Sequence, residues 1–161
     1  MNIGEICSRV TVVAPRATTV LQAARLMRQH HVGALVVIDD KERERPVGVV
    51  TDRDMVVAVL AAGVDPDTLT VADIMTEDLV KVGAKDGVFE TIEMMQARGV
   101  RRVVVTENGS RLGGIVSLDD LLEVLAEELD GLAKTIVREQ RHEQQTRRPW
   151  RESAGTQPRP M

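Results

Sequence analysis

The stretch VGVVTDRDMV, Val47 to Val56, is an apolar run that stops at a hydroxyl and three charged residues, Thr51, Asp52, Arg53 and Asp54. Such an ending marks either a helix cap or a binding position. A second stretch, GGIVSLDDLL from Gly113 to Leu122, keeps the same order: glycine, two apolar residues, a hydroxyl, and an aspartate three residues on. The recurrence makes the fold a question about duplication.

Sliding the chain against itself aligns IGEICSRVTVVAPRATTV from Ile3 with VADIMTEDLVKVGAKDGV from Val71, an offset of 68. The register continues through LQAARLMRQHHVGALVV against FETIEMMQARGVRRVVV, so Met27 meets Met95 and Val37 meets Val105. The next loop is two residues longer in the first copy, and Thr51 then meets Ser117 and Asp54 meets Asp120 at an offset of 66. Two copies of roughly 60 residues form one duplicated unit.

Composition sets the outer limits. With 161 residues and 43% apolar content, the chain suffices for one domain or two small units sharing a core. Phe89 and Trp150 are the only aromatics, so the core must be built from Val, Leu, Ile, Ala and Met, and a flat ligand would lie between aliphatic side chains. Residues 69–137 carry 7 basic and 13 acidic side chains, which argues against a nucleic-acid surface on the folded part. Cys7 is the single cysteine, excluding an intrachain disulfide and pointing to a reducing compartment. No uncharged apolar run is long enough to span a membrane, and MNIGEICSRV lacks the pattern of a secretory leader. The expectation is a cytoplasmic protein without membrane or nucleic-acid partners.

Within each copy, Val20, Ala23, Ala24 and Met27, and likewise Val88, Ile92 and Met95, recur at helical spacing. ALVVID and PVGVV, and their counterparts RVVVTE and GGIV, read as strands joined through polar turns. The expected order is helix, two hairpin strands, then a second helix starting at Thr51 or Ser117. A two- or three-stranded sheet cannot bury both faces alone, so the two copies should pack sheet to sheet with pseudo-twofold symmetry in an α+β fold. The apolar stripe of the last helix, from Leu118 through Leu129 and Leu132 to Ile136, runs past what one copy needs, and its far end is expected on another subunit, the alternative being a fold back onto its own sheet. The organisation is then 1–68 for the first repeat, 69–130 for the second, and 131–161 for a helix extension and polar tail.

The paired GVVTDRD and GIVSLDD signatures, each closing a helix-strand-strand unit, resemble a tandem cystathionine β-synthase (CBS) domain pair over about residues 1 to 130. The resemblance implies a disc-shaped module with two clefts that bind adenosine compounds such as AMP, ADP, ATP or S-adenosylmethionine. It also implies a flat homodimer and a regulatory role, which here would be exerted in trans on a separate protein partner. Catalysis is not expected, because DRD lacks a paired base or nucleophile and no Gly-rich phosphate loop occurs.

Thr51 and Asp54, like Ser117 and Asp120, suit the N-cap and third position of a helix, an arrangement contributing about 0.5–2 kcal/mol without any ligand. A carboxylate there also offers two acceptor oxygens to the vicinal hydroxyls of a ribose, the role the resemblance implies. Both roles stay open and are compatible. By the same resemblance Arg101 and Arg102 approach phosphate, and they are expected beside Ser117 and Asp120; the matching Gly33 and Ala34 leave the first copy only Arg53. The resemblance further points to Val12 and Val80 as backbone contacts for adenine. Cys7, His30 and His31 do not form a metal motif, and the two histidines suit a helix end. A ligand-independent dimeric scaffold for stress responses is the competing reading, and a nucleic-acid role for Arg147, Arg148, Trp150 and Arg151 of the tail is a third.

Overall fold

The computed structural model describes residues 1–9 and 11–147. In the first copy the chain forms α1 (Ile3–Ile6), β1 (Val13–Pro15), α2 (Val20–His30), β2 (Ala34–Ile38), β3 (Pro46–Thr51) and α3 (Asp52–Met55), the last continuing as a π-helical stretch over Val56–Leu60. The second copy repeats this as α4 (Val71–Ile74), β4 (Lys81–Gly83), α5 (Val88–Arg98), β5 (Arg102–Glu107), β6 (Arg111–Ser117) and α6 (Leu118–Thr146). The order is two sheets, β1-β2-β3 and β4-β5-β6, each with a parallel first pair and an antiparallel hairpin. One compact unit, Met1–Val124, holds both sheets; a second begins at Leu125.

The α+β architecture with two sheets and a C-terminal helix follows the pattern expected from the duplication, with two additions. Each copy opens with a one-turn helix and a three-residue parallel strand ahead of its long helix. Three residues are too few for a period of two to register against background. The long helices bury Val20, Ala23 and Met27 in one copy and Val88, Thr91 and Met95 in the other. Thr91 is buried without penalty because its hydroxyl donates to the Gly87 carbonyl at 2.8 Å. The helix ends also correspond: His31 takes the left-handed conformation (φ 54°) that Gly99 takes in the second copy (φ 64°).

The opening segment of each copy completes the core of the other. Ile3 is fully buried among Val82, Met95, Val103, Val116 and Leu121 of the second copy, and Val71 and Met75 are buried among Ala14, Met27, Leu35 and Val50 of the first. Backbone hydrogen bonds pin the exchange. Ser8 pairs with Ile115 of β6, and Thr76 pairs with Val49 of β3, with N···O distances of 2.9–3.2 Å in both. The Ile3 N–H donates to the Asp86 carbonyl at 2.9 Å, and the Val71 N–H to the Thr18 carbonyl at 2.8 Å. These crossing bonds in one half have their counterparts in the other at the offsets of the sequence repeat, which is the pseudo-twofold symmetry written in hydrogen bonds.

The exchange explains the glycine of each signature. A Cβ on Gly114 would stand 2.6 Å from the Ser8 carbonyl oxygen, so β6 can receive the crossing chain only where no side chain intervenes. A Cβ on Gly48 would instead run into the flexible end of Met75. Gly114→Ala is therefore expected to lose about 1–3 kcal/mol in urea unfolding and Gly48→Ala clearly less, since a methionine can repack and a backbone carbonyl cannot. Equal losses would contradict this account.

The crossing segments start from capping boxes, Asn2 with Glu5 at α1 and Thr70 with Asp73 at α4. Asp73 accepts from the Thr70 N–H at 2.8 Å and from its hydroxyl at 3.0 Å, and these bonds hold its carboxyl below the usual 3.8. A lowered carboxyl contributes stability that is present above its unfolded pKa and lost as pH falls through the folded one. The stability difference between wild type and Asp73→Asn should thus be largest near neutrality and shrink as pH drops below 3.8. A difference independent of pH would show that the charge is not what the cap uses.

Candidate functional site

A cavity of about 210 Å³ lies where the crossing segment 76–80 leaves β3 of the first copy and enters β4 of the second. Its lining is accordingly drawn from both copies. Thr51 and Asp54 come from the signature of the first; Val80, Arg101 and Arg102 come from the second. Val49, Val100, Val104 and Ile115 give it aliphatic walls.

Thr51 is the N-cap of α3 and Asp54 its third residue. The Thr51 hydroxyl accepts from the Asp54 N–H at 3.2 Å, while Asp54 Oδ2 accepts from the Thr51 N–H at 2.8 Å. Asp54 Oδ1 has no hydrogen-bond partner among the described residues, so the carboxylate caps with one oxygen and keeps the other for something else. Ser117 and Asp120 repeat the box at the start of α6, with Oδ2 accepting from both the Ser117 N–H and its hydroxyl at 2.7 Å. The aspartates thus reach back to their caps, the first of the two compatible roles left open from sequence.

Arg101 and Arg102 stand between the two signatures. Across the β5–β6 hairpin Arg102 is paired with Ser117, and the Arg101 carbonyl accepts the Leu118 N–H at 2.8 Å, so the backbone does bring them to the second signature. The cavity they line, however, is the one holding Thr51 and Asp54. Reasoning within one copy misses this, because it treats a copy as a closed unit while the crossing segments set β5 of one beside β3 of the other. Arg101 is paired with Asp119 at 3.4 Å, an exposed contact that water weakens, and Arg102 has no ion-pair partner among the described residues. Asp78, also on the lining, is paired with Arg98 at 3.5 Å.

The remaining expected residues divide. Val80 lines the cavity; its carbonyl already accepts the Val104 N–H at 3.0 Å, while its own N–H has no partner among the described residues. Val12 has the corresponding place in the first copy, its carbonyl accepting the Val36 N–H at 3.1 Å, and it is packed against the first core. Arg53 is exposed on α3 and is not part of the cavity lining. By the pseudo-twofold, the region around Ser117, Asp120 and Val12 carries Gly33 and Ala34 where this cavity has its arginines. Thr76 and Asp78, which sequence reasoning did not single out, lie on the cavity; the repeat alignment carries no signal that segment 76–80 crosses between the copies.

Other chemistry is sparse. Burial pushes the Cys7 thiol up, the wrong direction for a nucleophile. No group of three or more His, Cys, Asp and Glu that could hold a metal ion occurs among the described residues, and none of their helices is long and apolar enough to cross a membrane. Of the basic tail cluster, Arg148, Trp150 and Arg151 lie outside the described residues.

Comparison with known proteins follows the same division into copies. A family model described as CBS domain matches twice, at residues 3–61 and 71–127. Hypoxic response protein 1 of Mycobacterium tuberculosis is 39% identical over 128 residues, covering 79% of this chain and 82% of its own. An uncharacterized protein of Methanopyrus kandleri is 31% identical over 124 residues, 77% of this chain; the match spans only 62% of that relative. Among solved structures, a CBS domain protein from Pyrobaculum aerophilum complexed with AMP matches with a TM-score of 0.70 at 28% identity, covering 79% of this chain and 99% of that one.

Proposed function

This chain belongs to the CBS domain family, and from that premise we propose that it is a non-catalytic regulatory module. It senses an adenosine-type ligand of the AMP, ADP or ATP class and acts in trans on a separate protein, as a cytoplasmic homodimer. One observation carries the reading: a carboxylate oxygen without a partner among the described residues, Asp54 Oδ1, shares an aliphatic cavity with two guanidiniums from the other copy. Ribose hydroxyls would donate to Asp54, phosphate would meet Arg101 and Arg102, and the Val80 N–H would read the purine edge. The volume of about 210 Å³ is below the roughly 300–1,000 Å³ of pockets that enclose a drug-sized ligand, and favours a mononucleotide with its phosphate at the rim. AMP in the Pyrobaculum aerophilum relative supports the ligand class.

Arg101 and Arg102 move the preferred cleft from Asp120, the expectation from sequence, to Asp54. The test is a thermal-shift and calorimetric titration with AMP, ADP and ATP. Wild type should be stabilised, by about 2.7 kcal/mol at a hundredfold excess of ligand over Kd. Arg101→Ala/Arg102→Ala and Asp54→Asn should each weaken binding at least about tenfold, the loss of one charge-assisted contact. Asp120→Asn should leave that affinity unchanged. Binding unaffected by Asp54→Asn but lost in Asp120→Asn would move the site to the other cleft, and no binding by any nucleotide would overturn the reading. A ligand-independent scaffold for stress responses would then take its place, a reading favoured by the similarity to a hypoxic response protein.

A further inference from the structure

Three cations gather at one end of the first sheet. β2 finishes at Ile38, which is paired with Pro15 of β1 on one side and with Pro46 of β3 on the other. Arg16 follows the first proline and Arg45 precedes the second, so the sheet itself brings the two arginines to the same end. Their attachment is firm. The Arg45 N–H donates to the Glu42 carbonyl at 2.8 Å, its carbonyl accepts the Asp39 N–H at 2.9 Å, and the proline after it steers it to extended backbone. Lys81 arrives from the other copy as the first residue of β4, where the crossing segment ends. The three line a concavity of about 260 Å³ together with one carboxylate, Glu77. Leu79 is the one residue this concavity shares with the cavity that holds Asp54.

We propose that Arg16, Arg45 and Lys81 form a binding site for a phosphoryl oxyanion, separate from the nucleotide cavity and independent of that reading. None of the three side chains makes an ion pair or a hydrogen bond among the described residues. Asp39 lies within electrostatic reach of both arginines, but its Oδ1 is committed to the turn, accepting from the Glu42 and Lys41 N–H groups at 3.1 and 2.8 Å. Those bonds, and more weakly Arg45 and Arg16, hold its carboxyl below the usual 3.8. Three cations against Asp39 and Glu77 leave the concavity positive. The fold does not need this charge. By the repeat, Arg16 corresponds to Ala84 and Lys81 to Val13 at an offset of 68, and Arg45 corresponds to Arg111 at an offset of 66. Arg111 is ion-paired with Glu44 at 3.2 Å, so the other half keeps the same strands with two neutral residues and a paired arginine. Like charges gathered in one concavity repel each other, and an anion between them relieves the repulsion. Two guanidinium forks and an ammonium converging from three segments suit the tetrahedral oxygens of a phosphoryl group, where a single exposed ion pair would hold little in water.

The test is calorimetric titration of the full chain, at constant ionic strength, with inorganic phosphate, pyrophosphate and glycerol 3-phosphate; the tightest of the three tells a free oxyanion from one carried by a metabolite. Wild type should bind at least one of them at one equivalent, and Arg16→Ala/Lys81→Ala should weaken that binding at least about tenfold. The replaced side chains are half-buried or exposed, and the repeat carries Ala84 and Val13 at the matching positions, so circular dichroism should not change. Arg45→Ala supplies a second variant expected to act in the same direction. Arg101→Ala/Arg102→Ala should bind the oxyanion as wild type does, whatever becomes of AMP, which keeps a failure here distinct from a failure of the nucleotide reading. Oxyanion binding lost in Arg101→Ala/Arg102→Ala but kept in Arg16→Ala/Lys81→Ala would put the anion in the nucleotide cavity. Wild type that binds none of the three compounds would show the cations to be solvated surface charge. Either result overturns the proposal.

Discussion

Two backbone bridges, Ser8 with Ile115 and Thr76 with Val49, hold this structure to its pattern. Each ties the opening segment of one copy to the last strand of the other, and each delivers a buried residue, Ile3 or Val71, into a core not its own. Neither three-stranded sheet has a complete core without the segment it receives. Two sheets too small to be stable alone become one cooperative unit because their parts are exchanged and not merely apposed. The glycines of the signatures, the capping boxes of α1 and α4, and the parallel strands β1 and β4 all serve this crossing.

The cavity is a by-product of the same exchange. A segment that passes from one sheet to the other leaves space alongside it, lined by a helix start from one copy and a strand start from the other. Helix starts carry hydroxyls and carboxylates for capping, and strand starts tolerate exposed cations. Duplication supplies this arrangement twice, and divergence then distinguishes the two: Arg101 and Arg102 at one place, Gly33 and Ala34 at the other. The signature aspartate keeps its structural task in both, spending one oxygen on the cap. The proposed ligand role of Asp54 uses the oxygen left over, so it does not compete with capping.

Much of this was legible in the chain itself. The internal match exposed the duplication, helical spacing located α2 and α5, and the hydroxyl-to-aspartate spacing located both capping boxes. Three features escaped. β1 and β4 are too short to show a period. The exchange of segments is invisible to an alignment of one copy with the other, because a swapped and an unswapped pair have the same repeats. For that reason Arg101 and Arg102 were read with the signature that follows them, when the cavity sets them with the signature of the other copy. The glycine at 114 was the clue: no turn requires it, and only a close backbone approach explains it.

The central claim is that one cleft, built across the two copies, takes the nucleotide. Backbone amide NMR during titration with AMP tests it most directly. The account predicts that Thr51, Asp54, Val80 and Arg102 shift together along one saturation curve while Val12, Gly33 and Asp120 stay in place. Shifts confined to Val12, Gly33 and Asp120, or to residues of one copy alone, would contradict it.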